Sequence, residues 1–266
     1  MKSTLRVLGS ADWHVTAHND NSCYLLGDCA LIDACSSGIL QMLNAGIDPL
    51  NVNTIFFTHL HADHCLGLAP ILHYWQVRMA GEHHAGDFSG LTIVGHRAML
   101  RRAVELALQI VLDQPEDLDQ VVAKMPKLVE LEGECAYEHP RYHVDVMNSD
   151  HAVPGLCYRF TDRETGSTVG LTGDTKYRSE FGKFFDHVDL LVHEASFGAG
   201  PVPPIADTTC RHSSAIEASR VATEAQVGHL LLTHTYEPKR AAALEDARKR
   251  LTIPVDWAMP GSIIEY

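Results

Sequence analysis

The stretch Thr58-His59-Leu60-His61-Ala62-Asp63-His64 places three imidazoles and a carboxylate between two runs of very different character. Upstream, Thr54-Ile55-Phe56-Phe57 is β-branched and aromatic, which predicts a buried strand. Downstream, Cys65-Leu66-Gly67-Leu68-Ala69-Pro70-Ile71-Leu72 has the spacing of a helix. The motif is therefore predicted on a strand-to-helix turn. Strand residues alternate sides, so His59 and His61 are expected to face the same way and grip one cation through ring nitrogens. Asp63 and His64, where the chain turns, reach a second cation nearby. A polar turn merely rich in histidine is the competing reading, and it gives this concentration of ligand-type side chains at a strand end no purpose.

His59, His61, Asp63 and His64 fill the pattern His-x-His-x-Asp-His, and here the chain resembles the metallo-β-lactamase superfamily. That resemblance implies an α/β fold, the four-layer αββα sandwich of two mixed β-sheets with helices on the outer faces. The flavodiiron oxidoreductase branch carries Glu at the position of His61. A hydrolase is accordingly favoured over an oxygen-reducing di-iron centre.

Composition sets further bounds. A chain of 266 residues suffices for one large domain with a deep core or for two small ones. No Pro/Gly/Ser-rich spacer, low-complexity tract or fixed-period repeat divides it, so one domain over 1–266 is expected. The N-terminal Met1-Lys2-Ser3-Thr4-Leu5-Arg6-Val7-Leu8 lacks an apolar stretch long enough for a signal peptide or membrane span, which predicts a cytoplasmic protein with no membrane partner. Seven cysteines without a Cys-x-x-Cys pair fit reduced thiols. Cys65 reads as a small helix-face residue and not as a ligand. A formal net charge of −13 disfavours a polyanionic partner such as transfer RNA and leaves a small-molecule substrate as the expectation.

In chain order, strands are predicted at 5–9, 22–26 and 30–33, with a hairpin turn at Gly27-Asp28. Asp33 ends the third of these, and in the superfamily an aspartate there commonly supports the histidine loop from behind. A helix over 39–46 leads to the motif strand. His73-Tyr74-Trp75 and Gly81-Glu82-His83-His84-Ala85-Gly86-Asp87 read as an interruption, a solvated loop or helix end whose alternative role is a substrate entrance. Helical spacing returns over 97–112 and again over 113–125, with Arg101 and Arg102 on a solvated face. A partner subunit packed on these helices, hence a homodimer, is the alternative for that surface. Strands follow at 128–131 and 143–146, and the alternation of strands and helices in two halves predicts a sheet sandwich flanked by helices.

A catalytic zinc site usually has three protein ligands and a solvent position, so the His59–His61 pair needs a third. His151, in Asn148-Ser149-Asp150-His151, resembles the family's third motif, lying after one strand and before Leu156-Cys157-Tyr158-Arg159-Phe160. Val169-Gly170-Leu171-Thr172-Gly173-Asp174 ends an apolar strand in a carboxylate that can bridge two cations around a shared hydroxide. Leu230-Leu231-Leu232-Thr233-His234 brings a last histidine to complete the second site with Asp63, His64 and Asp174. Two divalent ions are expected, zinc foremost and manganese or iron as the other candidates.

Two further segments narrow the branch. Val192-His193-Glu194-Ala195-Ser196-Phe197 and Arg211-His212-Ser213-Ser214 are similar to the His-Glu-Ala-Thr-Phe and His-Ser-Thr segments of the ribonuclease Z group. The resemblance places a proton donor on His212 and its steering carboxylate on Glu194, making Asp63, His212 and Glu194 the catalytic candidates. His193 reads as structural or supporting. Ribonuclease Z also carries a long basic arm for transfer RNA between the positions of His151 and Asp174, and this chain has room there only for two strands and a hairpin near Asp162-Arg163-Glu164-Thr165-Gly166. In lacking the arm it resembles the cyclic phosphodiesterase of phosphonate degradation. The reading is a dinuclear phosphodiesterase for a small or cyclic phosphodiester. Its rivals are an ester, thioester or lactone hydrolase with the same metals, a ribonuclease Z-like processor of RNA, and a metal-binding protein without turnover.

Overall fold

The computed structural model describes residues 2–80, 87–112 and 125–266. The first sheet is built from β1 (Thr4–Gly9), β2 (Cys23–Leu26), β3 (Ala30–Ile32), β4 (Thr54–Phe56), β5 (Thr92–His96), β6 (Lys127–Leu131) and β14 (Ile263–Glu265). The second holds β7 (Cys135–Glu138), β8 (Tyr142–Asn148), β9 (Leu156–Asp162), β10 (Thr168–Leu171), β11 (Leu190–Glu194), β12 (His229–Thr233) and β13 (Val255–Trp257). Their orders are β14-β1-β2-β3-β4-β5-β6 and β13-β12-β11-β10-β9-β8-β7. Both sheets are mixed. β3 to β6 run parallel, as do β10 to β13, while β1, β2 and β3 pair antiparallel and so do β7 to β10.

Strands buried on both faces feed two cores at once, which is why their sequences are continuously apolar and do not alternate with polar residues. In β4, Ile55 faces the outer core and Phe56 the inner one; in β12, Leu231 points inward while Leu230 and Leu232 point outward. The inner core lies between the sheets, where the Phe56 ring meets Phe160 at 5.0 Å and Tyr158 at 5.6 Å, both edge-to-face. Such pairs add about 0.5–1.5 kcal/mol each beyond area burial. Outside the first sheet pack α1 (Gly38–Asn44), α3 (Leu68–Ala80) and α4 (Leu100–Val111), through Met42, Trp75 and Leu108 among others. Outside the second pack α5 (Phe181–Phe184), α7 (Ala215–Glu224) and α8 (Glu237–Arg250). The result is the αββα sandwich expected from the sequence. Among the described residues no helix is long and apolar enough to cross a membrane.

Three local expectations need correction. The helix predicted over 65–72 is two helices, α2 (Ala62–Cys65) and α3, broken at Leu66-Gly67. Gly67 sits against the backbone beyond β3: its N–H donates to Ala34 O at 2.9 Å, and a Cβ there would lie 2.0 Å from Cys35 O. His73-Tyr74-Trp75 is no interruption but part of α3, with Trp75 buried and His73 exposed. Strand β7 was not anticipated, because Cys-Ala-Tyr-Glu is short and half exposed and has little β-branched character. His83, His84 and the helix predicted beyond 112 fall on residues outside those described, apart from Asp87 and Met125 at their margins.

His139 carries a testable consequence of this packing. It is 2 % exposed, stacks on Tyr142 with ring centroids 5.4 Å apart, and accepts the Arg141 N–H on Nδ1 at 3.1 Å. Burial, reinforced by Arg141 and Arg163, lowers its pKa to about 4. The unfolded chain therefore binds a proton that the folded chain refuses, and this contribution to stability is complete above about pH 6.5 and lost as the pH falls towards 4. Urea midpoints of wild type and His139→Gln are expected to diverge over that window, with wild type losing on the order of 2 kcal/mol more. Parallel pH dependences would show that His139 protonates freely in the fold.

Candidate metal centre

All the sequence-predicted residues gather at one edge of the sandwich, where parallel strands end. The chain leaving β3 carries Asp33; that leaving β4 carries Thr58 to His64; β8, β10, β11 and β12 deliver His151, Asp174, Glu194 and His234. His212 follows α6 (Pro204–Thr209) and precedes Ser214, whose side chain caps α7. Ligand sites in such sheets form at the carboxyl ends of strands, where loops free of the hydrogen-bond ladder can aim side chains at a common point. Asp33 and His234 both adopt left-handed backbone, with φ of 57° and 54°. That strain of order 1–3 kcal/mol is tolerated where the surroundings hold the side chain in place.

Two groups of ligand-type atoms result. In the first, His59 Nε2 and His151 Nε2 each lie 3.1 Å from His61 Nδ1. In the second, His64 Nε2 is 3.2 Å from His234 Nε2, which is 3.4 Å from Asp63 Oδ2. Asp174 Oδ2 stands between the groups, 3.6 Å from His59 Nε2, 3.5 Å from His64 Nε2 and 3.4 Å from His234 Nε2. Tetrahedral ligands on zinc bonds of about 2.0–2.1 Å are separated by roughly 3.3 Å. The spacing fits cations in both groups.

The expected route to this convergence was strand alternation, and the structure replaces it. β4 ends at Phe56, so His59 and His61 stand on irregular backbone and converge by presenting different nitrogens, Nε2 and Nδ1. In four of the five rings the remaining nitrogen is fixed from behind. His59 Nδ1 lies 3.2 Å from Thr58 Oγ1, His64 Nδ1 2.7 Å from Asp33 Oδ2, His151 Nδ1 3.3 Å from Arg211 O and His234 Nδ1 2.9 Å from Ser196 Oγ. An oxygen that accepts the outer N–H leaves the inner nitrogen with a lone pair, the tautomer a cation requires. Asp33 binds Thr58 as well, accepting its N–H at 2.8 Å and its hydroxyl at 2.7 Å, and so ties the whole loop to β3.

Protonation follows the same pattern. Burial lowers the pKa of His59, His61 and His151, keeping these rings neutral. Burial opposes charge on Asp63 too, yet His234, with Nε2 3.4 Å from Asp63 Oδ2, and the nearby His64 hold it at about 2. Asp174, fully buried, is drawn well below the usual carboxylate range by His234, His64 and His59. His64 is the exception among the rings: despite burial, Asp174 and Asp33 raise its pKa well above normal. Carboxylates ionised beside mostly neutral imidazoles form a donor set prepared for divalent cations. Cys65 is outside both groups, and burial pushes its thiol up to about 11, consistent with the helix-face role expected of it.

His212 borders both groups, its ring centroid 4.8 Å from that of His151 and 5.6 Å from that of His234. Nδ1 binds Glu194 Oε1 at 2.9 Å, and Glu194 also accepts the Thr175 N–H at 2.8 Å and the Ser196 hydroxyl at 2.6 Å. Burial disfavours charge on the ring, but Glu194 outweighs it and, with Asp174, raises His212 to about 10. His193 lies behind, fully buried, its Nδ1 2.8 Å from Glu194 O, and takes part in neither group.

Ser196 had no role assigned from sequence, although it joins His234 to Glu194. A serine is too common to attract notice alone; the signal was the hydroxyl that Ser196 shares with the threonine of the His-Glu-Ala-Thr-Phe segment. Ser196→Ala removes the acceptor that orients His234. Chelator competition is expected to show a 10- to 100-fold loss of metal affinity, restored by Ser196→Thr. An unchanged affinity would mean that packing alone orients the ring.

The profile of the metallo-beta-lactamase superfamily matches residues 19–140. Over those residues this chain is similar to a metallo-beta-lactamase superfamily domain. It is similar to the probable metallo-hydrolase YhfI of Bacillus subtilis, 27% identical over 237 residues that cover 86% of this chain and 85% of that protein. It is equally similar to ribonuclease Z of Myxococcus xanthus, 27% identical over 301 residues covering 98% and 97% of the two chains. The crystal structure of YhfI superimposes with a TM-score of 0.82 at 24% identity over 100% of both chains. That of a diphosphatase from the PhnP family gives 0.67 at 18% identity, over 100% of this chain and 98% of the other. These superpositions establish the shared fold of two mixed sheets flanked by helices.

Proposed function

We propose that this chain is a metal-dependent hydrolase, and specifically a dinuclear phosphodiesterase acting on a small or cyclic phosphodiester. The superfamily domain and the two His/Asp groups support the first part. The observation that carries the second is the pairing of His212 with Glu194 at 2.9 Å beside both groups. His59, His61 and His151 would hold one cation, Asp63, His64 and His234 another, and Asp174 both. Bound there, divalent ions supply Lewis acidity toward phosphate oxygens and acidify water.

The protein's own contribution is protonic and positional. In hydrolysis the water oxygen forms the new bond to phosphorus while the bond to the leaving oxygen breaks, and that oxygen needs a proton. His212 Nε2 makes no hydrogen bond among the described residues, so its N–H is available for this transfer. Glu194 fixes the ring through Nδ1 and favours the charged form. An alkoxide leaving from phosphorus benefits from such an acid more than an ester with a good leaving group does. The names of the relatives, ribonuclease Z and a PhnP-family diphosphatase, agree with phosphorus chemistry.

Between His151 and Asp174 the chain makes only β9, a tight turn with Gly166 at φ 77°, and β10. With a net charge of −13, this supports weak, salt-insensitive contact with transfer RNA. The test is a panel: reconstituted protein is expected to contain two metal equivalents and to prefer bis(p-nitrophenyl) phosphate over p-nitrophenyl acetate and a lactone. A preference for the acyl substrates would overturn the phosphodiesterase reading, and a single equivalent the dinuclear one.

A further inference from the structure

A cavity of about 370 Å³ has His212 in its wall together with Lys176, Tyr177, Val202, Ile216 and Arg220. Its volume is that of a small-molecule site. Among the residues that line it, His212 is the one that borders the two ligand-type groups, its ring centroid 4.8 Å from that of His151 and 5.6 Å from that of His234, so the cavity meets the candidate centre at the proposed proton donor. We propose that this cavity is the leaving-group subsite, and that Tyr177 and Arg220 make it selective for a planar aromatic leaving group. The proposal rests on the phosphodiesterase reading above.

The lining explains the choice. The Arg220 guanidinium lies 3.9 Å from the Tyr177 ring centroid. Glu224 holds both, accepting the Tyr177 hydroxyl at 2.8 Å on Oε2 and Arg220 Nε–H at 2.8 Å on Oε1. One carboxylate thus fixes a ring and a guanidinium plane in advance, the kind of surface on which flat rings stack. Val202 and Ile216 add apolar walls. Glu217, also at the cavity, is committed to capping α7, where its Oε2 accepts the Ser214 N–H at 2.9 Å. Lys176 also lines the cavity, and its Nζ lies 3.6 Å from Asp150 Oδ2. A ring gains stacking on entering that a bare polyol cannot. A nucleobase and an aryl group share this chemistry.

Binding to the metal-loaded protein, measured by calorimetry, separates these sources and needs no turnover. Adenosine, 4-nitrobenzyl alcohol and ribose are the probes. At least one aromatic probe is expected to bind 10-fold or more tighter than ribose, and its identity assigns the ring as base or aryl. Tyr177→Ala and Arg220→Gln should each weaken that binding by about 10- to 100-fold, the range set by stacking on a side-chain platform, while Tyr177→Phe stays close to wild type. The same two variants should raise KM for bis(p-nitrophenyl) phosphate and leave kcat and metal content nearly unchanged. Arg220 is exposed, so its substitution tests the idea even if Tyr177→Ala folds poorly. Equal affinity for all three probes, or wild-type affinity in both Tyr177→Ala and Arg220→Gln, would overturn the inference while turnover of the diester upholds the enzyme assignment. Aromatic binding that depends on Tyr177 in a protein that cleaves no phosphodiester would instead reject the phosphodiesterase reading and, with it, the leaving-group role.

Discussion

Asp174→Asn is expected to lower the metal content below two equivalents and to reduce phosphodiester hydrolysis by at least on the order of 10³-fold. The reason is one oxygen. Asp174 Oδ2 lies within 3.6 Å of His59 Nε2 from one group and of His64 Nε2 and His234 Nε2 from the other. An amide keeps the shape but removes the negative charge that would offset two cations, and its nitrogen cannot act as a donor to a metal. Loss of a partner behind a ligand costs 10- to 100-fold in affinity or activity, and loss of a ligand common to both sites must cost more. Elemental analysis after reconstitution reads the effect directly, with thermal unfolding of the metal-free variant as the control for folding. Two tightly held equivalents in Asp174→Asn would refute a bridging role.

Much of this arrangement was legible in the sequence because buried strands and clustered ligands are costly to explain otherwise. Continuous apolar runs such as Leu230-Leu231-Leu232 announced strands covered on both faces, and a histidine or aspartate at the end of each announced the edge where they converge. What escaped was local geometry and long-range pairing. Nothing in Phe57-Thr58-His59 shows that the strand stops at Phe56, so a correct convergence was expected from the wrong backbone. The break at Gly67 depends on the approach of Ala34 and Cys35, which are distant in sequence. Pairing of β14 with β1, Glu265 opposite Thr4, likewise has no local signature. Ser196 and Thr58 were hidden for a chemical reason: a hydroxyl matters here only through the ring nitrogen it meets.

His212→Ala should retain both metals and much of its activity on bis(p-nitrophenyl) phosphate, yet lose on the order of 10²- to 10⁴-fold on an alkyl or nucleotide diester, the usual span of general acid catalysis. The inequality follows from the leaving groups. A p-nitrophenolate departs without a proton, and an alkoxide does not. Geometry favours the assignment: Glu194 occupies Nδ1, leaving Nε2 without a hydrogen-bond partner among the described residues, and the ring belongs to neither of the groups proposed to hold the metals. Charge favours it as well, since Glu194 overcomes the effect of burial and sets the pKa at about 10, so the acid form persists at neutral pH. Cations bound nearby pull that value down, which places the alkaline limb of the wild-type rate on an alkyl diester at or below pH 10. That limb should vanish in His212→Ala. Glu194→Gln should keep the ring in place through the amide oxygen and shift the limb to lower pH, because the charge that favours the imidazolium is gone. Equal losses on both substrates, with metals intact and the alkaline limb unchanged, would make His212 a phosphate-positioning residue and not the donor of the proton.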